Sequence, residues 1–309
     1  MTEHPRPIIS RLQDTHHWLS ISVLITVVVM IIEVVGGILS NSLALLSDAG
    51  HMFTHFTALG LALLGIRIAR RPATRTKTYG YYRAEILAAL VNSVILILLG
   101  FYIFYEAYRR FLQPPEVIGP TMLGVAIVGL GANLAVLIAL REARSGNINV
   151  RSAFLHVLSD TLSSVGVIIA GIIIVLTGAY IADPLVGFLI GTMILIWAVG
   201  LTREVVDILL EAAPKHIDMG KIVREVKKVG GVRDLHDLHV WTIASGIYAM
   251  SVHLVIKDQT VSRAGMILEE VNDLLRSKFG ISHTTIQLEC KRCKGPLVCS
   301  LSLEKLPRS

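Results

Sequence analysis

The stretch Ser47–His55, SDAGHMFTH, lies inside an otherwise apolar run over 42–67 and carries Asp48, His51 and His55. Even on lenient insertion scales, an ionisable side chain in the hydrocarbon core costs about 2.5–3.5 kcal/mol. Three within one short stretch therefore imply a task. His51 and His55 are four residues apart, so on a helix they share one face. Counted from Ser42 at about 1.5 Å per residue, they sit roughly 14–20 Å below one surface, near the midplane of a bilayer. A lone membrane histidine is readily explained as a bond to a neighbouring helix. That explanation weakens when the pattern recurs, and HVLSD at 156–160 sets His156 and Asp160 four apart in another apolar run.

Working outward, apolar runs fall at 18–39, 42–67, 84–108, 118–141, 152–177 and 183–206, each of a length that spans a bilayer. Of the 309 residues, 53% are hydrophobic and only 17% charged, which excludes an ordinary soluble domain. After Pro214 the chain turns charged and mixed. The reading is an α-helical membrane protein with six transmembrane helices over 1–211 and a cytosolic domain over 212–309. The first apolar run is too long for a signal peptide and lacks a small-residue cleavage site.

The net charge of +6 is placed for topology rather than for nucleic acid. Arg67, Arg70, Arg71, Arg75, Lys77 and Arg83 crowd one loop, and the loop at 141–151 and the N-terminal stretch are also basic. By the positive-inside rule both termini are cytoplasmic, with Arg109 and Arg110 a minor exception. The compact chain favours a bacterial plasma membrane. Arg151 lies only five residues before His156, so either the fifth helix starts outside the hydrocarbon or a watery cavity reaches the site.

The tail changes its period. Residues 219–229 and 263–280 have helical spacing, whereas 232–243, 247–257 and 282–290 alternate like strands. The order αββαβ predicts a small α+β domain with a three-stranded sheet. The three cysteines, Cys290, Cys293 and Cys299, lie at the end of the chain and cannot staple a disulfide-rich fold. Cys290 and Cys293 form a CxxC that can complete a thiolate zinc site beside histidine.

Two helices that each present an i, i+4 pair supply four ligands: His51, His55, His156 and Asp160. Four nitrogen and oxygen donors suit a tetrahedral divalent metal. A histidine-rich set favours Zn(II), Co(II) or Cd(II) over Mg(II), Ca(II) or Mn(II). Asp48, one turn before His51, reads as a supporting or pathway residue.

The segments SLALLSDAGHM, TYGYYRAEILAALVN, HVLSDTLSSVGVI and HDLHVWTI with HTTIQLE together resemble the cation diffusion facilitator family, from about residue 18 to 289. The resemblance implies a homodimer that exports zinc or a similar divalent cation in exchange for protons. It implies a six-helix membrane domain and a cytosolic ferredoxin-like domain. It also implies a cytosolic zinc site from His239, His253, His283 and Glu289, with His236 and Gln287 nearby and Cys290 and Cys293 following. Arg83 and Glu211 match positions whose charge contacts hold the family's dimer. The chain departs from the pattern where zinc-selective members usually carry Asp, for here that residue is His55. One formal negative charge then remains among the four ligands, which leaves the choice among Zn, Cd, Co, Ni and Fe open. The basic loop has no histidine, so no loop metal site is expected. Competing readings are an intramembrane metalloenzyme and a metal-sensing scaffold. Neither HExxH nor a P-loop is present.

Overall fold

Our computed structural model describes residues 8–141 and 148–291; for 8–23, 139–141, 148–153, 155 and 156 it describes the backbone alone. Six helices come first: α1 (Ile8–Ser40), α2 (Leu43–Ala69), α3 (Arg83–Leu112), α4 (Gly119–Arg141), α5 (Ile148–Thr177) and α6 (Ala182–Leu209). Among the described residues, α2 to α6 are long and apolar enough to cross a membrane, and α1 adds a shorter apolar segment, Leu24–Ser40. A helix closes its backbone hydrogen bonds internally, as hydrocarbon demands. Helix α5 begins at Ile148, so Arg151 lies on the same continuous helix as His156 and Asp160.

Two compact units form within the described residues. One takes the chain up to Leu61 with Val91–Leu201; the other takes Ala62–Leu90 with the chain from Thr202 onward. In the first, Ala44, Leu45, Ile103, Met122, Val167, Ala170 and Ile194 are buried together. Small residues let its helices approach closely: a Cβ at Gly36 would lie 2.5 Å from Val125, and one at Gly100 2.5 Å from Leu195. Outward apolar side chains such as Leu98 and Leu176 stay exposed, as a surface facing acyl chains would.

The start of α2 is held from α6. Buried Asp183 accepts hydrogen bonds from Ser42 Oγ at 2.6 Å and from the N–H groups of Leu43 at 2.7 Å and Ala44 at 3.1 Å. A carboxylate on the open N–H groups of a helix start satisfies donors that have no helical partner and complements the dipole. Arg110 adds its guanidinium 3.9 Å from Asp183 and donates to the Asn41 carbonyl at 2.7 Å. These contacts fix the axial position of α2 and hence the height of Asp48, His51 and His55.

In the second unit, α7 (Met219–Val226), β1 (Val232–Ala244), β2 (Ile247–Ile256), α8 (Val261–Phe279) and β3 (Ile281–Glu289) follow in order. The sheet order is β1-β2-β3, antiparallel between β1 and β2 and parallel between β2 and β3. Ser245 and Gly246 turn the hairpin, with Gly246 at φ 74°. The parallel pair needs a crossover, which α8 supplies. Its Ala264, Ile267, Val271 and Leu275 recur at helical spacing and are buried with Leu235, Met250, Val252 and Leu254 of the sheet. The helix stops at Gly280, whose φ of 69° is left-handed and whose N–H bonds back to Arg276. Also in this unit, Arg83 pairs with Glu211 at 2.8 Å and Ser245 donates to Glu85 at 2.7 Å.

Candidate functional site

The membrane site grows from the i, i+4 spacing on α2. His51 is buried and His55 half-buried, and their Nε2 atoms lie 3.3 Å apart with the rings edge to face. Asp160 of α5 is 2% exposed and places Oδ1 3.8 Å from His51 Nε2. One donor atom from each of His51, His55 and Asp160 falls within 4.8 Å of the others, a spacing that one ion can bridge. His156 precedes Asp160 by one turn of α5, and its side chain lies outside the described residues. The Trp197 ring packs on His51, with centroids 5.4 Å apart. Asp48 is 1% exposed and joins this region through Ser164, whose hydroxyl reaches Asp48 Oδ2 at 3.5 Å and the Asp160 carbonyl at 3.0 Å.

A second cluster forms on the sheet. Strand pairing sets His236 opposite His253, and His253 opposite Gln287. Glu289, two residues beyond Gln287, shares its face. His236 Nε2 lies 3.0 Å from Glu289 Oε2, and His253 Nδ1 2.9 Å from Glu289 Oε1. The three offer donor atoms within 4.8 Å of one another. Burial raises the Glu289 pKa, but hydrogen bonds from His236 and Gln287 and the charges of His236 and His253 outweigh it. The net shift is below the usual carboxylate range, which keeps the group ionised and ready to ligate.

This cluster differs in membership from the tail ligands read in the sequence. His253 and Glu289 are present. His236, read there only as a neighbour, takes a central place. The cause is a bulge: the register of β1 shifts between His236 and His239, and Asp237 adopts φ 52°. The extra residue leaves His239 exposed, where Nε2 contacts Asp237 Oδ1 at 3.0 Å. Asp237 Oδ2 in turn lies 3.6 Å from His253 Nε2, so His239 borders the cluster. His283 pairs with Ala249 and packs its ring on Tyr79 at 5.4 Å, outside the trio. Cys290 is exposed with a free thiol, and Cys293 lies outside the described residues.

Comparison with known proteins covers both parts of the chain. Residues 19–210 match the cation efflux transmembrane domain, and 214–291 match the cytoplasmic domain of cation efflux proteins. The chain belongs to the cation efflux, or cation diffusion facilitator, family. A Bacillus subtilis relative named cadmium, cobalt and zinc/H(+)-K(+) antiporter is 42% identical, covering 89% of this chain and 90% of its own. The Cupriavidus metallidurans metal cation efflux system protein CzcD is 41% identical over 89% and 87%. The Escherichia coli zinc transporter ZitB is 40% identical over 86% and 85%. A solved metal-bound C-terminal domain of the CzcD transporter is 36% identical, with a TM-score of 0.22, covering 24% of this chain and 99% of that one.

Two acidic residues of this family member escaped the sequence reading. Asp183 sits at the first turn of α6, and its neighbour in space, Ser42, is far away in sequence. Glu33 is a single acidic residue in the first apolar run, with no spaced partner to mark it, yet it is 1% exposed.

Proposed function

We propose that this protein exports zinc or a similar divalent cation in exchange for protons, as a homodimer in a bacterial plasma membrane with both termini cytoplasmic. The observation that carries the reading is the convergence of His51, His55 and Asp160 inside an apolar helical unit. Buried carboxylate and imidazole groups are costly there unless charge is matched. A dication satisfies them in one state, and protons do so in another. We place six spans over 1–211, a ferredoxin-like cytosolic domain over 212–309, and His156 as the fourth ligand beside Asp160.

Three imidazoles and one carboxylate bear less negative charge than a two-carboxylate set. They favour borderline and softer ions, in the order of preference nitrogen donors show: Zn, Cd and Co above Mn or Mg. The relatives named for cadmium, cobalt and zinc agree with that chemistry. A donor set that satisfies the ion and keeps no open position for a substrate suits carriage rather than hydrolysis. In the tail, His236, His253 and Glu289 fit a zinc ion, completed by a fourth donor such as His239, a cysteine or water. That ion would tie β1, β2 and β3 together and report cytosolic metal.

The test is zinc accumulation in proteoliposomes under an imposed pH gradient. Uptake that needs the gradient and collapses with a protonophore supports the reading. Gradient-independent zinc binding without accumulation would favour a sensing scaffold, and zinc-dependent hydrolysis without flux an enzyme.

A further inference from the structure

The ligating side chains of the membrane cluster come from α2 and α5, yet a third helix touches it. Trp197 of α6 packs its ring on His51, with centroids 5.4 Å apart and planes inclined at 48°. On its other contact, His51 meets the His55 ring edge to face, at 4.7 Å and 84°. The His51 imidazole is thus flanked by a second imidazole and by an indole. Trp197 is 45% exposed, whereas the His51 it covers is 1% exposed. On the α6 side the indole is therefore the cover between His51 and its surroundings.

Helix α6 holds that cover still. Its Ile190 and Ile194 are buried with residues of α2 to α5, and Ala198 is buried as well. Trp197 follows Ile194 by one turn on the same helix. With only two side-chain torsions, an indole seated on a packed helix is a rigid plate.

A plate of this kind has a chemical consequence. Indole Nε1–H donates and offers no lone pair, so Trp197 cannot ligate a cation. Where its ring lies, water cannot ligate one either. The donor atoms of His51, His55 and Asp160 fall within 4.8 Å of one another, and an ion among them has Trp197 beside its His51 ligand. Its shell is then limited to the protein donors of α2 and α5, with no space on the α6 side for added waters. Donor type does not separate nickel from cobalt, because the ordinary affinity order of nitrogen and oxygen sites places Ni(II) above Co(II). Geometry does separate them. Zn(II) and Co(II) accept a four-coordinate tetrahedral shell, whereas Ni(II) favours square-planar or more crowded ones.

We propose that Trp197 is a specificity-determining residue of the transport site: its indole caps the coordination number and so selects zinc and cobalt against nickel. The selection rests on the reading of His51, His55 and Asp160 as the site of the carried ion. It acts through exclusion of extra ligands and not through a bond to the metal.

The experiment uses purified full-length protein with Co(II) and Ni(II) as probes. Visible absorption of bound cobalt is read as the difference between each protein and its Asp160→Asn counterpart, which cancels metal held in the tail. Wild type should show the intense band of four-coordinate cobalt and should bind cobalt more tightly than nickel, against the ordinary order. Trp197→Ala should still bind cobalt, but with the weak band of a five- or six-coordinate ion. Its nickel-to-cobalt affinity ratio should rise by about tenfold or more, the scale on which residues around metal ligands act. Trp197→Phe keeps an aromatic plate and should recover most of the wild-type band and ratio. The proposal is overturned if Trp197→Ala keeps both the wild-type band and the wild-type ratio. It is also overturned if wild type already holds six-coordinate cobalt. Should Trp197→Ala not fold, the wild-type order decides, and nickel bound more tightly than cobalt overturns the proposal. Absence of zinc flux, with the cobalt band moving as expected, would support the proposal and strike the transport reading alone.

Discussion

Replacing Asp160 by Asn removes the carboxylate of the membrane site and nearly preserves its shape. Asp160 Oδ1 lies 3.8 Å from His51 Nε2, so an ion held by both donors sits within about 4 Å of the carboxylate charge. Two unit charges at about 4 Å interact by about 4 kcal/mol at an effective dielectric of about 20, and a dication doubles that to about 8 kcal/mol. Ion desolvation and the remaining ligation by the amide oxygen offset most of this. Retention of only about a quarter, about 2 kcal/mol, still weakens zinc binding more than about tenfold. The assay is zinc titration of the purified variant by calorimetry, followed by zinc-dye fluorescence in proteoliposomes. Export should be lost while the variant elutes as a folded protein at the wild-type position. Wild-type affinity and flux in Asp160→Asn would refute the assignment of Asp160 as a ligand.

Other outcomes follow from the same geometry. His55→Asp exchanges an imidazole for a carboxylate on an unchanged helical face, so transport should shift toward harder cations, with Mn(II) gaining relative to Cd(II); superimposable metal profiles would remove His55 from the site. Glu289→Gln should lower the zinc stoichiometry of the full-length protein measured by equilibrium dialysis, because His236 and His253 lose the carboxylate that lies between them. Leu275→Ala opens a cavity at a fully buried position of α8 and should destabilise the tail by about 2–5 kcal/mol in denaturant titrations. Glu225 is held at about 2 by hydrogen bonds from Lys228 and Lys278 and then by their charges. Its folded value lies below the ordinary glutamate value of about 4.5, so its stabilisation is present above about pH 4.5 and is lost as pH falls toward about 2. The protection of α7 amides against hydrogen exchange, relative to the unfolded chain at the same pH, should therefore fall over that window, and Lys278→Met should flatten the response.

The meeting of His51, His55 and Asp160 was legible because both i, i+4 pairs stand out against an apolar background, and helical periodicity leaves little choice of face. The tail elements were legible for a similar reason: residues 263–280 carry a helical stripe that the structure buries as Ala264, Ile267, Val271 and Leu275. The membership of the tail cluster was not. Strict alternation along β1 separates His236 from His239 by an odd number of residues, and only the bulge at Asp237 decides which faces His253. Bulges depend on local twist and cross-strand packing, which a single strand's pattern does not encode. Glu33 was hidden in another way. What stands against it is Gly129, far along the chain, where a Cβ would lie 2.7 Å from Glu33 Oε1.

The central claim is that one buried site carries a divalent ion one way and protons the other. The direct measurement is simultaneous zinc and proton flux in proteoliposomes, driven only by an imposed zinc gradient, with one dye for each ion. The account predicts proton movement opposite to zinc in wild type, with a fixed ratio across gradients, and neither flux in Asp160→Asn. Zinc movement with no opposing proton flux, or proton flux that persists in Asp160→Asn, would contradict it.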